Sequence, residues 1–208
     1  MYNFETENKF FKNIDETRAS KIYSHYELFK KSTSIKGDIV EFGIFKGNSL
    51  NRLIVFRNFF CRNKKIYGFD LFKKIRLSKK DMDYKKYNTF LKESKNIQPS
   101  LNQIIKELKK KNFFKNIRLV KGDVRKTLKN IKFKNKISYV GMDLDLYEPT
   151  SYVLKNIWSK ISKNGIIYFD NYKVFKGETK AVNEFLEEKN IKINRLKLFR
   201  NFYFVIKN

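Results

Sequence analysis

The sequence predicts an α/β fold: a Rossmann-like, doubly wound, mostly parallel seven-stranded sheet with a C-terminal antiparallel hairpin. Three observations carry this. Strand-like and helix-like segments alternate strictly from Asp38 onward, and parallel neighbours need crossover connections, which are right-handed as a rule. A length of 208 residues suits one domain with a sheet core buried on both sides. The last two strand-like runs, IKINRLKLF and NFYFVIKN, are joined by a tight polar turn around Arg200 and Asn201, which suits an antiparallel pair.

The chain reads as a single domain, 1–208, with no internal repeat and no linker. Residues 1–36 form an N-terminal helical cap, in which ETRASKIYSHYELFKKS places Ile22, Tyr23, Tyr26 and Phe29 at helical spacing. That helix is expected to pack on the sheet or to roof a ligand pocket. The sole histidine, His25, has no acidic neighbour in sequence and is read as a surface or packing residue. Next come strand DIVEFG, a turn with Gly43 and Gly47 four apart, helix NSLNRLIVFRNFFCRN and strand KIYGFD. Residues 71–98 are too long for an ordinary connection and read as a basic lid, with a disordered solvated insertion as the alternative. Helix LNQIIKELKK, strand IRLVKGD, the short helix VRKTLKNI, strand ISYVGMDLD, helix PTSYVLKNIWSKI, strand GIIYFDN and helix GETKAVNEFLEEKN complete the run to the hairpin.

Composition narrows the function classes. A 41% hydrophobic and 16% aromatic chain describes a packed globule. One cysteine, Cys61, excludes an internal disulfide framework and a Cys-rich zinc site, and fits a reducing, cytoplasmic setting. No apolar leader and no bilayer-length run is present, so no membrane span is expected. The net charge of +26 is mostly scattered lysine. It reads either as a solvated surface or as attraction to an acidic partner such as a nucleotide sugar, an acidic glycan or a nucleic acid.

In doubly wound sheets ligands sit beyond the carboxyl ends of the strands. Those ends read Gly43, Asp70, Asp123, Asp143 and Asp170, four aspartates in a strongly basic chain. Aspartate is also a favoured strand exit and helix cap, a sufficient reason for Asp123 ahead of its short helix.

The blocks VEFGIFKGNSL, IYGFDLF, LVKGDVRKTL, GMDLDLYEPTSYVL, NGIIYFDNY and GETKAVNEFL, in this order, resemble the class I S-adenosylmethionine-dependent methyltransferases. More narrowly, the set resembles the macrocin O-methyltransferase family, which methylates sugar hydroxyls in macrolide and related pathways. The resemblance runs from about Gly37 to Phe185, and DLDLYEPT followed by FDNY is its most specific part. It implies S-adenosylmethionine as cofactor, with Glu41, Gly43, Gly47 and Ser49 on the methionine and ribose side. It places the ribose hydroxyls on Asp70, the adenine ring beside Asp123 and Val124, and Asp143 toward the sulfonium and a bound metal.

An aliphatic hydroxyl is a poor nucleophile at neutral pH, so a hard cation that acidifies and orients it assists transfer. Mg²⁺ takes oxygen ligands, and Asp143, Asp170 and Asn171 would supply three. Sugar-methylating relatives carry two adjacent aspartates at the second location. Asn171 departs from that pattern, resembles the site of catechol and caffeoyl-CoA O-methyltransferases, and implies weaker metal affinity. Asp143 is the expected base and ligand. Asp145 assists it, pointing the same way if the strand continues, and Tyr147 and Glu148 line the cleft. After FDLF this chain has KKIRLSKK where the relatives carry glycine and proline, which puts acceptor recognition in doubt. The short N-terminus leaves open a smaller acceptor or a pocket completed by a second subunit in a homo-oligomer.

The expectation is therefore a Mg²⁺-dependent O-methyltransferase acting on a hydroxyl of a sugar, nucleotide-linked with the basic lid on its phosphates, or of a related small molecule. Two alternatives stand beside it. An RNA methyltransferase would suit the charge, although no N-P-P-Y base-flipping motif or RNA-binding module is present. A non-catalytic basic binding module could keep the same fold.

Overall fold

A computed structural model describes residues 4–95 and 100–208. Residues 96–98, the end of the expected lid, and residues 1–3 of the expected cap lie outside the described residues. Among the described residues seven strands form one sheet: β1 (Asp38–Phe42), β2 (Ile66–Asp70), β3 (Ile117–Lys121), β4 (Ile137–Met142), β5 (Ile161–Phe169), β6 (Asn194–Lys197) and β7 (Asn201–Ile206). Their spatial order is β3-β2-β1-β4-β5-β7-β6. The first five pair in parallel, while β7 is antiparallel to both β5 and β6. The second arm of the hairpin thus enters the sheet beside β5. Its sequence explains this, since NFYFVI buries Phe202, Phe204 and Val205, whereas NRLK in β6 presents exposed charges suited to an edge.

Helices cover both faces: α1 (Phe4–Asn13), α2 (Glu16–Lys31), α3 (Asn48–Phe60), α4 (Tyr84–Glu93), α5 (Leu101–Lys110), α6 (Val124–Thr127), α7 (Tyr147–Ile157) and α8 (Lys176–Glu188). On one face Leu28 and Phe29 of α2, Leu50 and Ile54 of α3, and Ile104 and Leu108 of α5 pack against Ile39, Tyr139 and Tyr168. On the other, Val153 and Leu154 of α7 and Val182 and Phe185 of α8 pack against Val40, Phe42 and Phe169. Ile39 and Val40 fall on opposite faces because successive strand side chains alternate. No helix among the described residues is long and apolar enough to cross a membrane.

Several expectations are revised. Residues 4–13 form α1, none of whose residues is buried, which is why its run of mixed charges and aromatics shows no clear stripe. The insertion carries a helix, α4, in place of the disordered alternative over those residues. β4 stops at Met142, ahead of Asp143 and Asp145. α7 begins two residues before Pro149, which sits in the first turn, where its missing N–H leaves no bond unmade.

Candidate active site

The site begins where the parallel strands run out. Their backbone pairing continues one step past the sheet: the Gly43 N–H donates to Phe69 O, Asp143 N–H to Phe42 O, Asp170 N–H to Met142 O and Gly122 N–H to Asp70 O, each at 2.9 Å. Gly43, Asp143 and Asp170 are thereby set side by side. Gly43 has φ +86°, and a Cβ there would lie 1.8 Å from the carbonyl oxygen of Asp143, so this crossing admits only glycine.

Asp70 is fixed by its neighbours. Its Oδ2 accepts the N–H groups of Ile44 (2.8 Å) and Phe45 (2.9 Å), and its Oδ1 that of Phe72 (2.5 Å). A carboxylate has about four acceptor positions, so these three bonds leave room for one further donor.

A cleft of about 510 Å³ opens over this row and is lined by Gly43, Ser49, Asp70, Asp143, Asp145, Asp170 and Asn171. Arg18 and Lys21 of α2, Arg52 of α3, and Tyr87 and Phe90 of α4 close its sides. A second pocket of about 310 Å³, sharing Asp70, Leu71, Ile75 and Leu144 with the first, is lined by Asp123, Val124, Tyr147 and Glu148. Two of the sequence-predicted residues stand behind the walls. Gly47 caps α3 in a left-handed conformation (φ +83°). Glu41 is buried at 3% exposure, its Oε2 has no hydrogen-bond partner, and burial, opposed by the Ser49 hydroxyl and the Arg52 charge, pushes it up to about 7.

The loops after β4 and β5 bring the acidic groups together. The Asn171 Nδ2 donates to Asp143 Oδ1 and to Asp145 Oδ1, both at 2.6 Å. Asp145 reaches this point through a left-handed backbone (φ +61°), a turn that replaces the strand alternation expected of it. Asp170 faces α2: its Oδ2 accepts from Lys21 Nζ at 2.6 Å and its Oδ1 from the Tyr168 hydroxyl at 2.9 Å.

These neighbours separate the carboxylates electrostatically. Burial, then the charges of Asp170 and Asp145, push Asp143 well above the usual carboxylate range. Burial, then the charges of Asp170 and Asp83, push Asp145 up to about 7. Burial would raise Asp170 too, but the Lys21 ammonium and the neighbouring His25 ring together outweigh it and hold Asp170 below that range.

His25 takes the packing rather than the surface alternative. It is 5% exposed, stacks edge-on against Tyr168, and lies with Nε2 3.7 Å from Asp170 Oδ1, beyond hydrogen-bond distance. The buried face of α2 runs through Ser20, Ser24, His25, Leu28 and Phe29, whereas Tyr23 is exposed. The expected stripe of Ile22, Tyr23 and Tyr26 is rotated from it because the sheet beneath offers polar partners at Tyr168 and Asp170.

Asp123 caps α6 by accepting the N–H of Arg125 (2.9 Å) and also holds the Arg125 guanidinium (Nη2, 2.7 Å), which continues to Glu148. Capping and pocket lining coexist there. Sequence reading missed Lys21, Arg52, Asp83 and Glu178. For Glu178 a signal existed: it shares the spacing of the buried Ala181, Val182 and Phe185 on α8.

Two groups can be tested against these residues. A cofactor with a cationic amine and vicinal hydroxyls fits: Gly43 lets it approach the backbone, Asp70 retains an acceptor, and the buried Glu41 Oε2 has no partner. Among the described residues no cluster of three or more His, Cys, Asp or Glu side chains is arranged to hold a metal ion. The oxygen set of Asp143, Asp170 and Asn171 nevertheless suits a hard divalent cation. The partly buried acids Asp143, Asp145 and Asp170 share this end of the cleft, and the Asn171 amide, turned over, offers an oxygen in place of its nitrogen.

Residues 15–200 match the protein family described as Macrocin-O-methyltransferase (TylF). No curated protein sequence matches. Among solved structures, the O-methyltransferase NovP is similar with TM-score 0.74 and 19% identity, over 90% of this chain and 79% of that one. Calicheamicin methyltransferase CalS11 is similar with TM-score 0.72 and 24% identity, over 99% and 86%; its apo form is described as a TDP-rhamnose 3'-O-methyltransferase. The S-adenosylhomocysteine-bound methyltransferase PaMTH1 of Podospora anserina is similar with TM-score 0.54 and 17% identity, over 100% and 97%. At these identities the structures establish the fold.

Proposed function

This chain belongs to the macrocin O-methyltransferase family and is a S-adenosylmethionine-dependent O-methyltransferase; we propose that it methylates a hydroxyl of a nucleotide-linked sugar with the help of Mg²⁺. The observation that carries this reading is the convergence of Asp143 and Asp145 on Asn171 inside the cleft that also holds Asp70.

Asp70 accepts a ribose hydroxyl at its one remaining acceptor position, Gly43 and Ser49 line the methionine side with Glu41 and Gly47 behind them, and Asp123 and Val124 border the adenine. Asp143, Asp170 and Asn171 would hold Mg²⁺. When bound there, the ion supplies a hard positive charge that acidifies the acceptor hydroxyl. Asp143 accepts the hydroxyl proton at a carboxylate oxygen. Asp145 assists from across the Asn171 amide. Tyr87 and Phe90 help keep water out as the described part of the insertion, residues 71–95, acts as a lid.

The nucleotide-linked acceptor is supported by the cations on the cleft wall, Arg18, Lys21, Lys46, Arg52, Lys73 and Lys74, which suit a diphosphate. The sugar itself is supported by the family and by the activity stated for CalS11. The test is product mass spectrometry with isotope-labelled S-adenosylmethionine against pooled nucleotide sugars and neutral glycosides. A labelled methyl on a nucleotide sugar is expected; labelling confined to neutral glycosides would remove the phosphate-binding role of the basic wall.

A further inference from the structure

Glu178 and Asp83 are buried carboxylates, 0% and 2% exposed, with no part in the chemistry above. We propose that Glu178 is a positioning residue that holds the two catalytic loops in register, and that Asp83 couples this clamp to the insertion over the cleft. The proposal rests on the roles assigned to Asp143, Asp145 and Asn171.

The strand ladder ends at Met142 in β4 and at Phe169 in β5, so regular pairing stops short of the loop positions of Asp145 and Asn171. Glu178 bridges them. Its Oε2 accepts the Asp145 N–H at 3.1 Å and its Oε1 the Asn171 N–H at 3.0 Å, while its own N–H donates to Asp145 O at 3.0 Å. One rigid group therefore fixes the left-handed turn at Asp145 and the backbone that aims the Asn171 amide.

The other end of the device lies one residue away. Asp83 Oδ1 accepts the Lys176 N–H at 2.8 Å and its Oδ2 the Gly177 N–H at 2.6 Å, satisfying donors that the first turn of α8 leaves free. A Cβ on Gly177 would stand 2.7 Å from Tyr147 N and 2.9 Å from Asp83 Oδ2, so the start of α8 is wedged between the insertion and the loop after β4. Asp83 also begins α4, whose Tyr87 and Phe90 wall the cleft. Contact with a ligand at α4 is thus transmitted through Asp83, Gly177 and Glu178 to Asp145 and Asn171. Lys86 strengthens the same seam by donating to Val174 O at 2.6 Å.

Hydrogen exchange of the full-length protein tests this without reliance on turnover. Glu178→Gln sets an amide NH₂ against one of the two N–H donors, and Asp83→Asn does the same at α8. In both variants the amides of residues 143–147 are expected to exchange faster, on the order of tenfold for the loss of one buried hydrogen bond, with S-adenosylhomocysteine affinity unchanged. In steady state kcat should fall by a similar factor while the acceptor KM stays within about twofold, and the double variant should lose less than the product of the single losses. The coupling is overturned if Asp83→Asn loosens the insertion and the start of α8 but leaves residues 143–147 as protected as in the parent. The clamp is overturned if Glu178→Gln folds, binds S-adenosylhomocysteine and keeps parental exchange in those residues. Should Glu178→Gln fail to fold, Asp83→Asn alone decides by the same readout. Full turnover by Asp143→Asn, measured alongside, would refute the catalytic assignment separately.

Discussion

Asp143 and Asp170 leave neighbouring strands as partly buried acids of the same type, yet their partners shift them in opposite directions. Lys21, with His25, holds Asp170 below the usual carboxylate range, while burial beside Asp170 and Asp145 raises Asp143 above it. Lys21 also stands where added positive charge must approach. Lys21→Met is predicted to tighten Mn²⁺ binding on the order of tenfold by removing a like charge from a poorly solvated site, read by paramagnetic titration; weaker binding would show that Lys21 supports the ion. Stability carries a second signature. Glu41 and Asp145, each pushed up to about 7, contribute stability that is complete below their unfolded values and lost as pH rises through the folded ones. His25, held down to about 4 by burial, works in reverse: its contribution is complete above 6.5 and lost as pH falls through about 4. Between pH 6.5 and about pH 8 only the first effect acts, so Tm of the metal-free protein should fall across that window and Glu41→Gln should flatten the fall. A Tm that rises there contradicts the raised carboxylates. Asp70, Asp143 and Asp170 were legible in sequence because each closes a strand. Lys21 was not, because its partner lies 149 residues away and only the packing of α2 on the sheet joins them.

Helix α2 shows how far periodicity reaches. Its existence and bounds follow from sequence almost to the residue, but its inward face does not, since a polar patch at Tyr168 and Asp170 recruits Ser24 and His25 in place of Tyr23. Phe29 belongs to both the expected and the observed stripe, is fully buried, and meets Phe56 and Tyr139 edge to face or tilted. Phe29→Ala should cost about 3–5 kcal/mol, whereas Phe11→Ala on α1, where no residue is buried, should stay within about 0.5 kcal/mol. Chemical denaturation of the two variants checks the contrast, and equal losses would mean that α1 is covered. Helix α4 escaped prediction because its turns carry mostly lysine, tyrosine and asparagine, with Tyr87 its only buried residue.

The molecule as a whole follows from alternation and strand-end chemistry. Seven strands, their parallel core and the antiparallel end were readable, as was the cleft beyond the carboxyl ends. The insertion of β7 between β5 and β6 was not, since a hairpin alone does not say which arm meets the sheet; burial of Phe202 and Phe204 decides it. The net charge of +26 becomes local at the cleft wall, where Arg18, Arg52 and the insertion lysines would meet the proposed nucleotide-linked acceptor. The acceptor KM should therefore rise with salt as the Debye length contracts from roughly 10 Å at 0.1 M to 3 Å at 1 M, with kcat little changed; a KM indifferent to salt would assign the charge to solvation.

The most direct measurement is methyl transfer by extensively dialysed protein, with labelled S-adenosylmethionine and a nucleotide-sugar pool, in EDTA and after Mg²⁺ is restored. Turnover should stop in EDTA and return with Mg²⁺, and Asp143→Asn should lower it by about 10²–10⁴-fold while S-adenosylhomocysteine binding persists. Undiminished transfer in EDTA, or by Asp143→Asn, would contradict the assignment of Asp143 as ligand and base.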